Sequence, residues 1–275
     1  MAQAKFTSIA KTLLIGALFL VGCTKGSEKS IKEEALVNEQ GGDYQKALKN
    51  YQELIQRTKN NQLVVDYAKA AGQIALVKAK DFAQAIGFFR LVVLKSSKQE
   101  ERVEAQKNLA NIYFSYLPIP DYEKAINEFS KLLSLSLSEE EKFEMRLSLA
   151  KSYYRLNNFF QAQTEIDTLL ESLKDKNKKY ELKKLKADIY LSAKELDKAV
   201  ETYQDLLVAF PQEAKKDDMA LSLAVCYEDQ GNYSKSIEVL EGMKKAYSHP
   251  EFIELRIKRL RDRRAQQPGS HGLKK

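Results

Sequence analysis

The chain has 275 residues with 45 Lys and Arg, 38 Asp and Glu, 11 Gly, 5 Pro and no Trp, and Leu, Lys, Glu and Ala dominate it, which is a helical composition. The net charge of +7 is not spread over the molecule: Lys5 and Lys11 carry two of the excess charges, residues 251–275 hold eight basic against three acidic side chains, and residues 12–250 balance at 35 against 35. A basic body built to grip a polyanion is therefore excluded, and only the end of the chain is basic.

Residues 1–22 read as an export signal, with Lys5 and Lys11 ahead of a short apolar run from Thr12 to Gly22. The run is far shorter than the roughly 20 apolar residues a helix needs to cross a bilayer. It ends in Leu20-Val21-Gly22-Cys23 rather than in an A-x-A-like cleavage site, and here the sequence resembles the lipobox of bacterial lipoproteins. That resemblance implies a diacylglycerol on the Cys23 thiol, removal of residues 1–22 and acylation of the new amino terminus. More than one acyl chain gives durable membrane attachment. Thr24 stands where an aspartate marks inner-membrane retention in that family, so the implied destination is the outer membrane, with its periplasmic face the expected location. Residues 23–30 would be the lipidated cysteine and its linker. With Cys23 lipidated, Cys226 has no partner for a disulfide and, within LSLAVCYEDQ, reads as a small apolar core residue.

Residues 31–249 carry a repeat, visible in GDYQKALKNYQEL (42–54), KDFAQAIGFFRLV (80–92), PDYEKAINEFSKL (120–132), NNFFQAQTEIDTL (157–169), KELDKAVETYQDL (194–206) and GNYSKSIEVLEGM (231–243). Small residues recur at Ala47, Ala85, Ala125, Ala162, Ala199 and Ser236, spaced by 38, 40, 37, 37 and 37, each followed four places on by an apolar residue. An earlier signature, Ala-x2-Tyr, lies before the turn at Ala110, Ala150, Ala187 and Ala224. Apolar residues at helical spacing, as in Leu147, Ala150, Tyr153 and Tyr154, mark amphipathic helices. Small side chains at fixed places let two such helices approach closely, and no single pair buries a sufficient core, so the units must stack.

The pairing of Ala-x2-Tyr with a later Ala-x3-aromatic resembles the tetratricopeptide repeat (TPR) family. The implied fold is all-α, a TPR-like solenoid of about six antiparallel helix pairs with a C-terminal capping helix. The period is longer than the 34 residues usual in that family, the closing proline occurs only at Pro211, and the helix before Asp81 is hard to register around Ala71 and Gly72. Turns are expected at Gly41-Gly42-Asp43, Asn157-Asn158 and Gly231-Asn232, where left-handed residues and N-caps are wanted. In SYLPIPDY (115–122) the inner turn is longer by three residues and holds two prolines, a surface insertion or a rigid contact loop.

Residues 250–265 read as a basic capping helix: Leu255, Ile257 and Leu260 would cover the last repeat, with Arg256, Lys258, Arg259, Arg261, Arg263 and Arg264 on the remainder. This patch is a solvated cap or a contact for anionic lipid or an acidic partner. Residues 266–275 are expected to be disordered.

Nothing in the sequence points to an enzyme. His249 and His271 are the only histidines, no phosphate-binding glycine motif or nucleophile elbow occurs, and Glu139-Glu140-Glu141 suits a helix start. No cofactor, metal, small-molecule substrate or nucleic-acid partner is expected. The TPR resemblance implies instead that the first helices of successive pairs line a concave groove for peptide segments. The candidates there are Lys107, Asn111, Lys151, Arg155, Lys184 and Asp188. Lys107 and Asn111 resemble half of a carboxylate clamp, although Ser148 stands where the next repeat would need asparagine. The set predicts a mildly basic groove for an acidic or C-terminal segment. The expected role is a membrane-anchored scaffold for envelope proteins, in outer-membrane protein or secretin and pilus assembly. The alternatives are an adaptor for peptidoglycan hydrolases and a structural protein that binds lipid or peptidoglycan through its basic end.

Overall fold

The computed structural model describes residues 26–267, so the expected signal segment, Cys23 and most of the tail, with His271, lie outside the described residues. Those described form helices α1 (Glu28–Gln40), α2 (Tyr44–Arg57), α3 (Asn61–Gln73), α4 (Phe82–Lys95), α5 (Gln99–Asn111), α6 (Tyr122–Leu133), α7 (Glu139–Arg155) and α8 (Phe159–Ser172), followed by α9 (Lys176–Ser192), α10 (Leu196–Ala209), α11 (Pro211–Lys216), α12 (Met219–Asp229), α13 (Tyr233–Lys244) and α14 (Pro250–Gln266). No strand occurs among them, and no helix is long and apolar enough to cross a membrane. Each first helix (α1, α3, α5, α7, α9, α12) packs on the second helix that follows it, and each second helix on the next first helix. α14 packs on α13 and closes the stack. The architecture is the expected all-α solenoid of six pairs and a cap.

The small residues explain the pairing. Ala47, Ala85, Ala125, Ala162, Ala199 and Ser236 are all fully buried, and so are Ala110, Ala150, Ala187 and Ala224 opposite them. The side chains four places beyond the second-helix set, Tyr51, Phe89, Phe129, Ile166, Tyr203 and Leu240, are buried between pairs. In the last pair the two backbones come close enough for the Ser236 hydroxyl to donate to the Ala224 carbonyl at 2.8 Å.

A backbone hydrogen bond resolves the register of the second pair. The amide of the residue that starts each second helix donates to the carbonyl three places after the small residue of the first: Asn158 to Tyr153, Glu195 to Tyr190, Asn232 to Tyr227, Asp121 to Tyr113, Asp43 to Asn38, and Asp81 to Ala75. The first pair thus has its own small residue, Ala35, and in the second the position belongs to Gly72. A Cβ at Gly72 would lie 2.8 Å from the Phe89 ring, so only glycine fits there. The irregular spacing follows, because α3 runs on as a π-helical stretch, Ile74–Ala79, and α5 as another, Ile112–Tyr116, and each absorbs extra residues without breaking the pair.

Of the expected turns, Gly42, Asn157 and Gly231 are left-handed, as are Lys80 and Lys194 at the same point of their pairs. Asp43 and Asn232 cap the following helices through their side chains, whereas Asn158 makes no such bond. Two boundaries and one covering residue differ from expectation. α1 begins at Glu28, inside the expected linker, because the Ser27 hydroxyl accepts from the Ser30 amide as an N-cap. α14 includes Gln266, and Gln267 donates to the Gly231 carbonyl at 2.8 Å, so the start of the expected disordered tail is ordered. On α14 the residues that cover the last repeat are Ile253, Ile257 and Leu260, while Leu255, expected to join them, is 49% exposed. Cys226 is buried in α12, and burial pushes its thiol up to about 11.

Candidate protein-binding face

The register fixed above places the first helices side by side, with the same positions of each unit facing out. The expected groove residues fall on this face or at its edges, in different states. Lys107 of α5 is ion-paired with Glu141 of α7, whose carboxylate also receives the Ser138 amide in a capping box. The Lys107 hydrogen bond, with those from Ser138, holds Glu141 down at about 2. Lys184 of α9 reaches Asp217 at 2.5 Å, and the Tyr180 hydroxyl donates to the same carboxylate at 3.0 Å. Asp188 accepts from the buried Tyr203 hydroxyl at 2.5 Å, and its carboxyl is raised by burial against that bond. Asn111 is half-buried, and its backbone carbonyl accepts from the Ser115 hydroxyl. Lys151 and Arg155, one turn apart on α7, are exposed and have no ion pair among the described residues. Three of the six candidates therefore fasten neighbouring helices together, and the free positive charge is concentrated at Lys151 and Arg155.

A second set on this face was not singled out from the sequence. Six residues before the small position of five successive units stand Asp66, Glu104, Glu144, Glu181 and Asp218, all exposed. Asp66 accepts from Gln62, and Glu104 lies 3.7 Å from Lys69. Glu144, Glu181 and Asp218 form no ion pair among the described residues. Four of these count back from Ala110, Ala150, Ala187 and Ala224, and Asp66 joins them only once Gly72 is known to occupy the small position of the second pair.

Between α7, α9 and α11 the same face opens into a cleft of about 370 Å³. Phe143 and Leu147 of α7 and Tyr180 of α9 supply apolar surface, and Glu144, Glu181 and Glu213 stand around it. Lys178 spans the α7–α9 gap: its ammonium lies 4.5 Å above the Phe143 ring and 2.7 Å from Glu140. The volume is within the range of specific binding clefts, about 300–1,000 Å³. Among the described residues no group of His, Cys, Asp and Glu is arranged to hold a metal.

The basic end is likewise divided. Arg256 and Arg263 both reach Glu228 of α12, at 2.8 and 2.6 Å, and Arg261 reaches Glu241 of α13 at 2.7 Å. These three pin the cap to the last pair. Lys258, Arg259 and Arg264 remain exposed without an ion pair among the described residues, and Arg259 shares a surface with the half-exposed Phe252 and Leu255. In the 115–122 segment Ile119 is 84% exposed, while Tyr116 stacks on Phe82 with ring centres 6.3 Å apart.

Comparison with known proteins agrees with this geometry. Residues 147–214, from the middle of α7 into α11, match the family model described as tetratricopeptide repeat. No curated protein matches the sequence. A tetratricopeptide repeat protein from Parabacteroides merdae ATCC 43184 is similar in structure, with a TM-score of 0.52 at 18% identity over 90% of this chain and 94% of that one. The apo form of RapI superimposes with a TM-score of 0.54 at 12% identity over 88% of this chain and 73% of that one. The chain folds as a tetratricopeptide-repeat solenoid, and its fourth and fifth helix pairs carry the repeat family's sequence pattern.

Proposed function

We propose that the protein is a lipid-anchored scaffold of the bacterial envelope, which holds segments of other envelope proteins on its first-helix face and supports assembly of outer-membrane proteins or of secretins and pili. The observation that carries the scaffold reading is the open cleft between α7, α9 and α11, lined by Glu144 and Glu181, which are exposed and form no ion pair among the described residues, with Lys151 and Arg155 in the same state further along α7. Ion pairs elsewhere on the face hold neighbouring helices together, so the helices that carry these groups are already in place when a partner binds. The envelope reading rests on Leu20-Val21-Gly22-Cys23, and in sequence only three residues separate Cys23 from the Ser27 cap of α1. A solenoid tethered so closely searches only the membrane surface, which raises its effective concentration toward partners there.

Expression of the full chain in a bacterial host, with fractionation and intact mass measurement, tests the anchor. The reading predicts a membrane-bound product that lacks residues 1–22 and carries acyl mass on Cys23, and a Cys23→Ser variant released from the membrane. A soluble product with an unmodified Cys23 would contradict it.

A second reading, contact of the basic end with an anionic surface, is favoured by Lys258, Arg259 and Arg264, which are exposed on α14 without an ion pair among the described residues, Arg259 sharing a surface with Phe252 and Leu255. It predicts that a Lys258→Ala/Arg259→Ala/Arg264→Ala variant loses binding to vesicles of anionic phospholipid or to isolated peptidoglycan. Unchanged binding removes it.

A further inference from the structure

The groove residues picked out by the repeat pattern predict a basic face for an acidic segment. The charges that remain free around the cleft point the other way. Lys107 and Lys184 are neutralised by Glu141 and Asp217, and Lys178 by Glu140. At the cleft this leaves Glu144, Glu181 and Glu213 against the single Lys216. Glu144 and Glu181 occupy the same register position on neighbouring first helices and are exposed without an ion pair among the described residues. Lys151 and Arg155 lie about two and three turns further along α7, beyond the apolar floor of Phe143, Leu147 and Tyr180.

We infer that this cleft takes a cationic segment of a partner protein, with a large apolar side chain seated on Phe143, Leu147 and Tyr180 and Lys or Arg residues on either side of it facing Glu144 and Glu181. The inference rests on the reading of the first-helix face as a protein-binding surface and specifies the chemistry of its partner. Glu144 and Glu181 line the cleft from α7 and α9, so a chain that crosses from one helix to the other passes both carboxylates. The fitting pattern is a basic residue on each side of an aromatic or leucine. The apolar anchor supplies most of the affinity. The exposed carboxylates supply selection, because a ligand with acidic residues at the same places meets like charge.

Selection of a random twelve-residue peptide display library on the full chain, followed by binding of the enriched synthetic peptides, tests this. The expected peptides carry the basic–apolar–basic pattern. Their affinity falls at least about tenfold in a Glu144→Lys/Glu181→Lys variant and is unchanged in Glu201→Lys, a charge reversal on the exposed side of α10. Helical circular dichroism is unchanged in both, since neither removes an ion pair or a buried contact among the described residues. Enrichment of acidic peptides whose binding is lost in Lys151→Glu/Arg155→Glu would overturn the cationic partner and leave the first-helix face as the binding surface. Peptides insensitive to both pairs of reversals would overturn both readings.

Discussion

The hydroxyl of Ser236 donates to the carbonyl of Ala224 at 2.8 Å, from α13 to α12 and without access to solvent. It stands where the other five pairs have alanine, and it shows how tightly this position is held. Ser236→Ala removes one buried bond and no packing, and is expected to lower stability by about 1 kcal/mol. Ser236→Leu forces the helices apart and is expected to cost about 1–3 kcal/mol. Urea unfolding at one temperature measures both.

Two glycines make opposite predictions. A Cβ at Gly72 meets the Phe89 ring at 2.8 Å, whereas one at Gly87 of α4 meets nothing within 4 Å. Gly87→Ala is expected to stabilise the protein by about 0.8–1 kcal/mol through helix propensity alone. Gly72→Ala gains the same propensity but overpacks the second pair, so the net change is destabilising by up to about 2 kcal/mol. Phe89→Leu added to Gly72→Ala recovers part of that loss. Stabilisation by Gly72→Ala alone would show that the two helices are free to move apart.

Glu141 joins α5 to α7 through Lys107 and caps α7 through Ser138. Its folded carboxyl sits at about 2, against an ordinary value of 4.5. Its stabilising contribution is therefore complete above about pH 4.5, declines as the pH falls from there, and is gone below about pH 2. The difference in unfolding free energy between the wild type and Glu141→Gln should shrink over that window. A difference independent of pH would mean that the carboxylate charge contributes nothing.

Tyr203 is fully buried, and its hydroxyl is the hydrogen-bond donor to Asp188 at 2.5 Å. Tyr203→Phe leaves that carboxylate in a confined place without its donor, and the expected loss is about 1.5–3 kcal/mol. Asp188→Asn keeps an acceptor for Tyr203 and should cost less. The opposite order would make Asp188 a solvent-facing groove residue and not a brace between α9 and α10.

The fold was legible because its cause is periodic. The buried alanines, the apolar residues four places after them and the turn residues recur in one dimension along the chain, and helix pairing needs little else. Gly72 was harder to place, since the π-helical stretch after α3 shifts the count and only a backbone hydrogen bond from Asp81 to Ala75 restores it. The face was legible in position but not in charge. Sequence spacing puts Lys107, Lys184 and Asp188 on first helices, but their partners Glu141, Asp217 and Tyr203 come from other helices, 34, 33 and 15 residues away. Which charges are cancelled is a property of the stack. The same holds for α14, where Glu228 takes up two of the six basic side chains and Leu255 turns outward.

The most direct test of the central claim, that the first-helix face is the working surface, is photo-crosslinking in living cells from a reactive residue at Lys151, compared with one at Val208, which is 83% exposed on the second helix α10. The account predicts discrete protein adducts from position 151, weakened by Glu144→Lys/Glu181→Lys, and none from 208. Adducts from 208 with none from 151 would put the binding surface on the second helices and contradict it.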